Sequence, residues 1–323
     1  MIVIVAWGER HQIALYLAAM VIGAAVGLWA PAVAHPLELA ITPVLGLLLY
    51  ATFLGVPFSA IGRAFRDIRF LAVLLVVNFV IVPVIVFGLS RFVAHDQALL
   101  VGVLLVLLTP CVDYVIVFTG LAGGAKERLL AAAPILMLGQ MLLLPLYLWL
   151  FVGPEFIDAI DLAPFLDAFL LLIVLPLAAA GLTQYAAART RAGRALSDTV
   201  QSAMVPLMML TLAVVVASQI AGVGRQLPAL LATILLYTAF AVIMIPVGVV
   251  AGRAARLDVA RTRAVVFSGA TRNSLVVLPL ALALPAPFAL APLAVVTQTL
   301  VELIAMVVFV RLVPRVVPVR QRT

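Results

Sequence analysis

Leu107–Gly124 reads LLTPCVDYVIVFTGLAGG. An apolar run from Ala98 to Leu108 meets Thr109-Pro110-Cys111 and then Asp113, after which apolar sequence resumes. Proline lacks a backbone donor and clashes with the preceding turn, so a helix kinks or breaks there. Backbone groups freed inside a membrane are tolerated only where protein buries them or where they line a cavity. The interruption holds the one cysteine of the chain and, two residues on, an acid. An acid at mid-span needs a partner or a use.

The rest of the chain has the composition of a polytopic membrane protein. Of 323 residues, 66% are hydrophobic and 10% charged. Approximate spans are 11–29, 37–57, 70–90, 97–121, 128–151, 164–185, 199–220, 228–251, 261–284 and 290–312. Ala32-Val33-Ala34 resembles a signal-peptidase site, but the apolar stretch before it is longer than a signal core and reads as span 1. The net charge of +7 does not point to nucleic acid, because the basic residues sit in short loops between spans. With the N-terminus inside, seventeen Arg and Lys lie on the inner side and only Arg91 and Arg225 on the outer, while Glu155, Asp158 and Asp161 make an outer loop acidic. By the positive-inside rule both termini are cytoplasmic. One cysteine closes no intrachain disulfide, so the redox compartment is not legible.

A repeat runs through the chain. Pro43 and Pro206 are 163 residues apart, as are Pro83 and Pro246. The same offset carries Thr109-Pro110 onto Arg272-Asn273, a second polar interruption within Ser268–Ser274 of span 9. Each half has an odd number of spans, so the second enters the membrane in the opposite sense, as in secondary transporters with broken helices. The expected fold is an all-α polytopic membrane protein with ten transmembrane helices. They form two inverted five-helix repeats, 1–152 and 153–323, with helices 4 and 9 broken and crossing and no soluble domain. Few other polar groups lie at membrane depth: Asn78, Gln140, Gln298 and Glu302. Gln298 and Glu302 are i and i+4 and share a helix face.

At Thr109-Pro110-Cys111 the chain resembles the arsenite-efflux permeases of the bile acid/sodium symporter superfamily. The likeness rests on the cysteine after proline in span 4, the break Ala270-Thr271-Arg272-Asn273 in span 9, and Leu300-Val301-Glu302 in span 10. It implies a panel domain and a core domain, helices 4 and 9 crossing, and export of trivalent arsenic against protons. The essential cysteine and glutamate of that family fall on Cys111 and Glu302. Asp113 and Arg272 depart from it, standing where uncharged residues are the pattern.

Several residues are candidates on this reading. Arsenic(III) is soft and thiophilic, and a single thiol at Cys111 would hold it loosely enough to release it. Asn273 and Ser274 are further substrate-binding candidates at the second break. Glu302, near the middle of span 10, is the candidate proton carrier. Asp113 and Arg272 are expected to pair where the breaks cross, since an unpaired charge at that depth is expensive. Thr109, Gln140, Gln298 and Asn78 are supporting polar groups, and the arginines at 253, 256, 261 and 263 read as topology charges.

The expected function is secondary active export of arsenite or antimonite by proton antiport across the cell membrane. No cofactor or nucleic-acid partner is implied. The alternative is a sodium-coupled symporter of a bile-acid-type organic anion. Arg272 would repel sodium but would welcome an anion. No HExxH, and no GxSxG with partners, points to an enzyme.

Overall fold

The computed structural model describes residues 11–55, 65–112, 114–153, 167 and 170–319. Among these the chain is helical, with no strand beyond a bridge between Pro110 and Arg272. Among the described residues, seven helices are long and apolar enough to cross a membrane: Pro31–Gly55, Ile68–Val93, Lys126–Val152, Leu170–Arg189, Met204–Arg225, Leu227–Ala254 and Ala286–Val316. The other three expected spans differ for visible reasons. The first is α1 (Gln12–Trp29), whose apolar stretch, Ala14–Trp29, is shorter than the seven. The fourth and ninth are each split in two.

The chain forms two compact units and passes between them three times. One unit is Met1–Pro57 with Leu162–Pro228; the other is Phe58–Asp161 with Ala229–Thr323. Each draws on both halves of the sequence, so the packing division is not the division at residue 152.

The first unit holds α1, α2 (Ala34–Gly55), α8 (Leu175–Arg189), α9 (Arg191–Ser202) and α10 (Met204–Arg225). Helix α10 packs on α1 and α2, and α8 packs on α2. At the end of α2, Gln184 Nε2 donates to the carbonyls of Phe53 and Leu54 at 3.2 and 3.3 Å, satisfying acceptors that a helix end leaves open. Helix α9 corrects the expected start of span 7 at 199. Thr190 caps it, accepting from Gly193 N at 2.9 Å, and Arg191, Arg194 and Asp198 make it too polar to span. The apolar helix begins only at Met204.

The second unit holds α3 (Ile68–Val76), α4 (Val82–Ser90), α5 (Gln97–Leu107), α6 (Tyr114–Leu121), α7 (Lys126–Val152), α11 (Leu227–Ala254), α12 (Val259–Ala270), α13 (Ser274–Leu282) and α14 (Leu290–Val316). A wide helical turn, Val77–Ile81, joins α3 to α4 just before Pro83. Pro83 cannot donate to the carbonyl four residues back, which is Phe79. The Tyr147 hydroxyl of α7 donates to that carbonyl instead, at 2.6 Å. Helix α14 packs on both α5 and α13. Where α5 meets α14, a Cβ on Gly102 would lie 2.8 Å from the Ala291 carbonyl oxygen and 2.9 Å from Ala294 Cβ, so only glycine permits this approach.

Candidate functional site

Both predicted breaks are present. Span 4 divides into α5 and α6, and span 9 into α12 and α13, with residues 108–112 and 271–273 non-helical. The two segments bond to each other: Cys111 N donates to the Thr271 carbonyl at 3.3 Å, and Asn273 N donates to the Thr109 carbonyl at 2.8 Å.

Breaking a helix orphans carbonyls at its C-terminus and amides at its N-terminus. Thr109 Oγ1 donates toward the carbonyls of Leu105 and Val106, each at 3.0 Å. Thr271 Oγ1 donates to the Phe267 carbonyl at 2.8 Å. Three further carbonyls go to Arg272, whose side chain is fully buried. Its Nη1 donates to the Leu107 carbonyl at 3.3 Å, and its Nη2 lies 2.7 Å from the carbonyl oxygens of both Ser268 and Gly269. Nη2 also donates to Asn78 Oδ1 at 2.8 Å. The opposite face of Asn78 is fixed, because Nδ2 donates to the Leu74 carbonyl and to Ser268 Oγ, each at 3.0 Å. The Phe240 ring lies over the guanidinium, 5.4 Å from Cζ, which favours the cation further. Arg272 Nε is buried without a hydrogen bond.

At the start of α13, Asn273 Oδ1 accepts from Val276 N at 3.4 Å as an N-cap. One residue earlier, Arg272 N donates to Glu302 Oε2 at 2.7 Å. Glu302 is 2% exposed and has two further donors: Tyr114 Oη on Oε1 at 2.6 Å and Gln298 Nε2 on Oε2 at 2.8 Å. Tyr114 opens α6 and Arg272 precedes α13, so one carboxyl of α14 bonds to both broken helices. A carboxylate beside a helix N-terminus is favoured by the helix dipole.

Cys111 is fully buried in the first break. Ser274 Oγ accepts from Thr299 Oγ1 at 2.8 Å. Gln140 Nε2 donates to Met137 Sδ at 3.4 Å, and Asn273 Nδ2 reaches the same sulfur at 3.9 Å. The amide oxygens of Gln140 and Gln298 are buried with no hydrogen-bond partner, two open acceptors beside the breaks. Asp113, the expected partner of Arg272, lies outside the described residues. Among those described, the Arg272 guanidinium makes no ion pair; its charge meets neutral oxygens. No group of three or more His, Cys, Asp or Glu among the described residues could hold a metal ion.

The sodium bile acid symporter family model matches residues 42–227, more than half of the chain. The chain belongs to the sodium bile acid symporter family. It is thus a multi-pass membrane protein of a transporter family. No curated protein matches it in a sequence comparison. The family match takes in the first break at Pro110 and ends before the second break and Glu302.

In this member of the symporter family, sequence reasoning missed three residues that build the site: Tyr114, Phe240 and Met137. Only Tyr114 carried a signal, being a polar aromatic directly after the break. It also misread Arg263. That side chain is 7% exposed, and it donates to the Val317 carbonyl through Nε and Nη2 at 3.1 and 2.9 Å and to the Ala122 carbonyl through Nη1 at 2.8 Å. It ties the end of α14 to the end of α6, a structural task beyond a topology charge.

Proposed function

We propose that this protein is a secondary active transporter that exports a trivalent metalloid, arsenite or antimonite, by proton antiport. The observation that carries this reading is the placement of Cys111. The chain's single thiol is buried in an unwound segment that bonds to a second unwound segment, the midplane arrangement that transporters use for substrate. A soft thiol suits a thiophilic metalloid, and the open amide oxygens of Gln140 and Gln298 suit the hydroxyls of its neutral acid. Glu302 is the proton carrier on this reading. Its bonds to Tyr114 and to Arg272 N link its protonation to both broken helices. The same reading takes the chain as ten spans in two inverted repeats with both termini cytoplasmic. In support, the residues superposed by the 163-residue offset, Thr109-Pro110 and Arg272-Asn273, lie in the two segments that bond to each other.

The family match favours a second reading, sodium-coupled uptake of an organic anion. Everted vesicles separate the two. Metalloid export predicts arsenite accumulation driven by an imposed proton gradient and unchanged when sodium is replaced by choline. Sodium-driven movement of a bile-acid-type anion, with no arsenite accumulation, would establish the second reading instead.

A further inference from the structure

Four oxygens converge on the Arg272 side chain, and three of them sit within 2.8 Å of one nitrogen, Nη2. That nitrogen has two hydrogens. The three oxygens outnumber them, so the cluster is organised around positive charge as well as around individual hydrogen bonds. All four oxygens are neutral and hard. Leu107 is the last residue of α5, and Ser268 and Gly269 lie in the last turn of α12. The negative ends of two helices therefore meet at this point. Unwound carbonyls and half-helix C-terminal ends are the groups with which broken-helix transporters coordinate a coupling cation. The fourth oxygen, Asn78 Oδ1, is aimed by the two bonds its amide nitrogen makes. The family's name carries sodium, but these oxygens are already occupied by a guanidinium.

We propose that Arg272 is a tethered cation filling an oxygen site at the two helix breaks, so that this chain needs no sodium there. Vacating the site makes the protein a binder of a free monovalent cation. The inference stands apart from the metalloid reading, because it concerns which charge closes the breaks and not which substrate passes them.

The test uses purified full-length protein in detergent. Thermal unfolding is followed during titration with sodium, potassium or millimolar guanidinium chloride, at constant ionic strength set by choline chloride. Wild type is expected to show no saturable response. Arg272→Ala should unfold at lower temperature and recover with saturation as guanidinium or an alkali cation is added. Arg272→Lys, which keeps a tethered charge, should stay indifferent. Asp113→Asn added to Arg272→Ala identifies the source of the site: recovery that persists assigns it to the carbonyl oxygens, and recovery that vanishes overturns the proposal in favour of an aspartate site. A folded Arg272→Ala with the same unfolding temperature in every salt also overturns it. If Arg272→Ala yields no folded protein in any of these salts, including extraction in guanidinium or sodium, the free-cation site is refuted. A saturable sodium response in the wild type refutes the proposal without any variant.

Discussion

At the residue scale, three side chains divide the work proposed for the breaks. Cys111→Ser changes one soft atom for a hard one of similar size at a fully buried position. It is expected to leave membrane levels of the protein unchanged and to abolish arsenite resistance in cells, read as growth across an arsenite series. Unchanged resistance would move the assignment to the organic-anion reading. Glu302→Gln keeps the shape of the side chain but has one acceptor oxygen in place of two, so it accepts from Arg272 N or from Tyr114 and not from both, and it cannot lose a proton. Arsenite exchange at equilibrium should survive, while accumulation driven by a proton gradient should fall to background in vesicles. Gradient-driven accumulation that persists in the Gln variant would place the proton elsewhere. Asn78 bonds Arg272, Leu74 and Ser268, and touches neither Cys111 nor Glu302 in any bond described. Substitution there should therefore mimic a weak version of the Arg272 phenotype.

At the element scale, the helices of this chain are shaped by what replaces a missing backbone partner. Pro83 leaves the Phe79 carbonyl open, and the Tyr147 hydroxyl takes it. Tyr147→Phe should cost about 1 kcal/mol, the size typical of a polar contact between membrane helices, measurable as a lower unfolding temperature in detergent. Gly102 is limited by space. Its missing side chain lets α5 lie against α14, which carries Glu302. Gly102→Leu should destabilise the protein by about 1–3 kcal/mol or more through overpacking, and transport should fall with it because α14 is displaced. Loss of transport with an unchanged unfolding temperature would show instead that Gly102 acts by a route other than packing. Arg263 binds carbonyls of residues 122 and 317, and Arg263→Ala leaves them open at a cost of about 2–3 kcal/mol.

At the scale of the whole molecule, the proposed topology is tested by single cysteines in a Cys111→Ser background. A cysteine at Ala192, in the exposed, arginine-bearing helix α9, should react with a membrane-impermeant thiol reagent only in everted vesicles. One at Gly153, beside the acidic loop, should react only in intact cells. The opposite pattern would invert the proposed orientation, and labelling from one side at both positions would break the span count between them.

Much of this was legible along the chain because the bilayer imposes one-dimensional rules. A span needs about 20 apolar residues, basic residues collect on one side, and a proline set among polar residues marks a break, whereas Pro43, Pro134, Pro145 and Pro246 stand inside continuous helices. These rules located the seven long apolar helices and the break at Pro110, the 163-residue offset located the break at Thr271–Asn273, and helical spacing gave the shared face of Gln298 and Glu302, which the structure joins by a hydrogen bond. They failed where a residue's role depends on a partner far away in sequence. The rule that counts loop arginines cannot distinguish Arg263, folded back onto two helix ends, from the exposed Arg253 beside it in sequence. The polar segment Arg191–Ser202 straddles the expected loop and the expected start of span 7, because a capped surface helix has neither the length nor the hydropathy that marks a membrane helix. The charge of Arg272 is visible in the sequence, which offers it Asp113, a residue outside those described. Only the tertiary structure brings Leu107, Asn78, Ser268 and Gly269 around it, since carbonyl oxygens are present at every residue and become ligands only when two helices end at the same place.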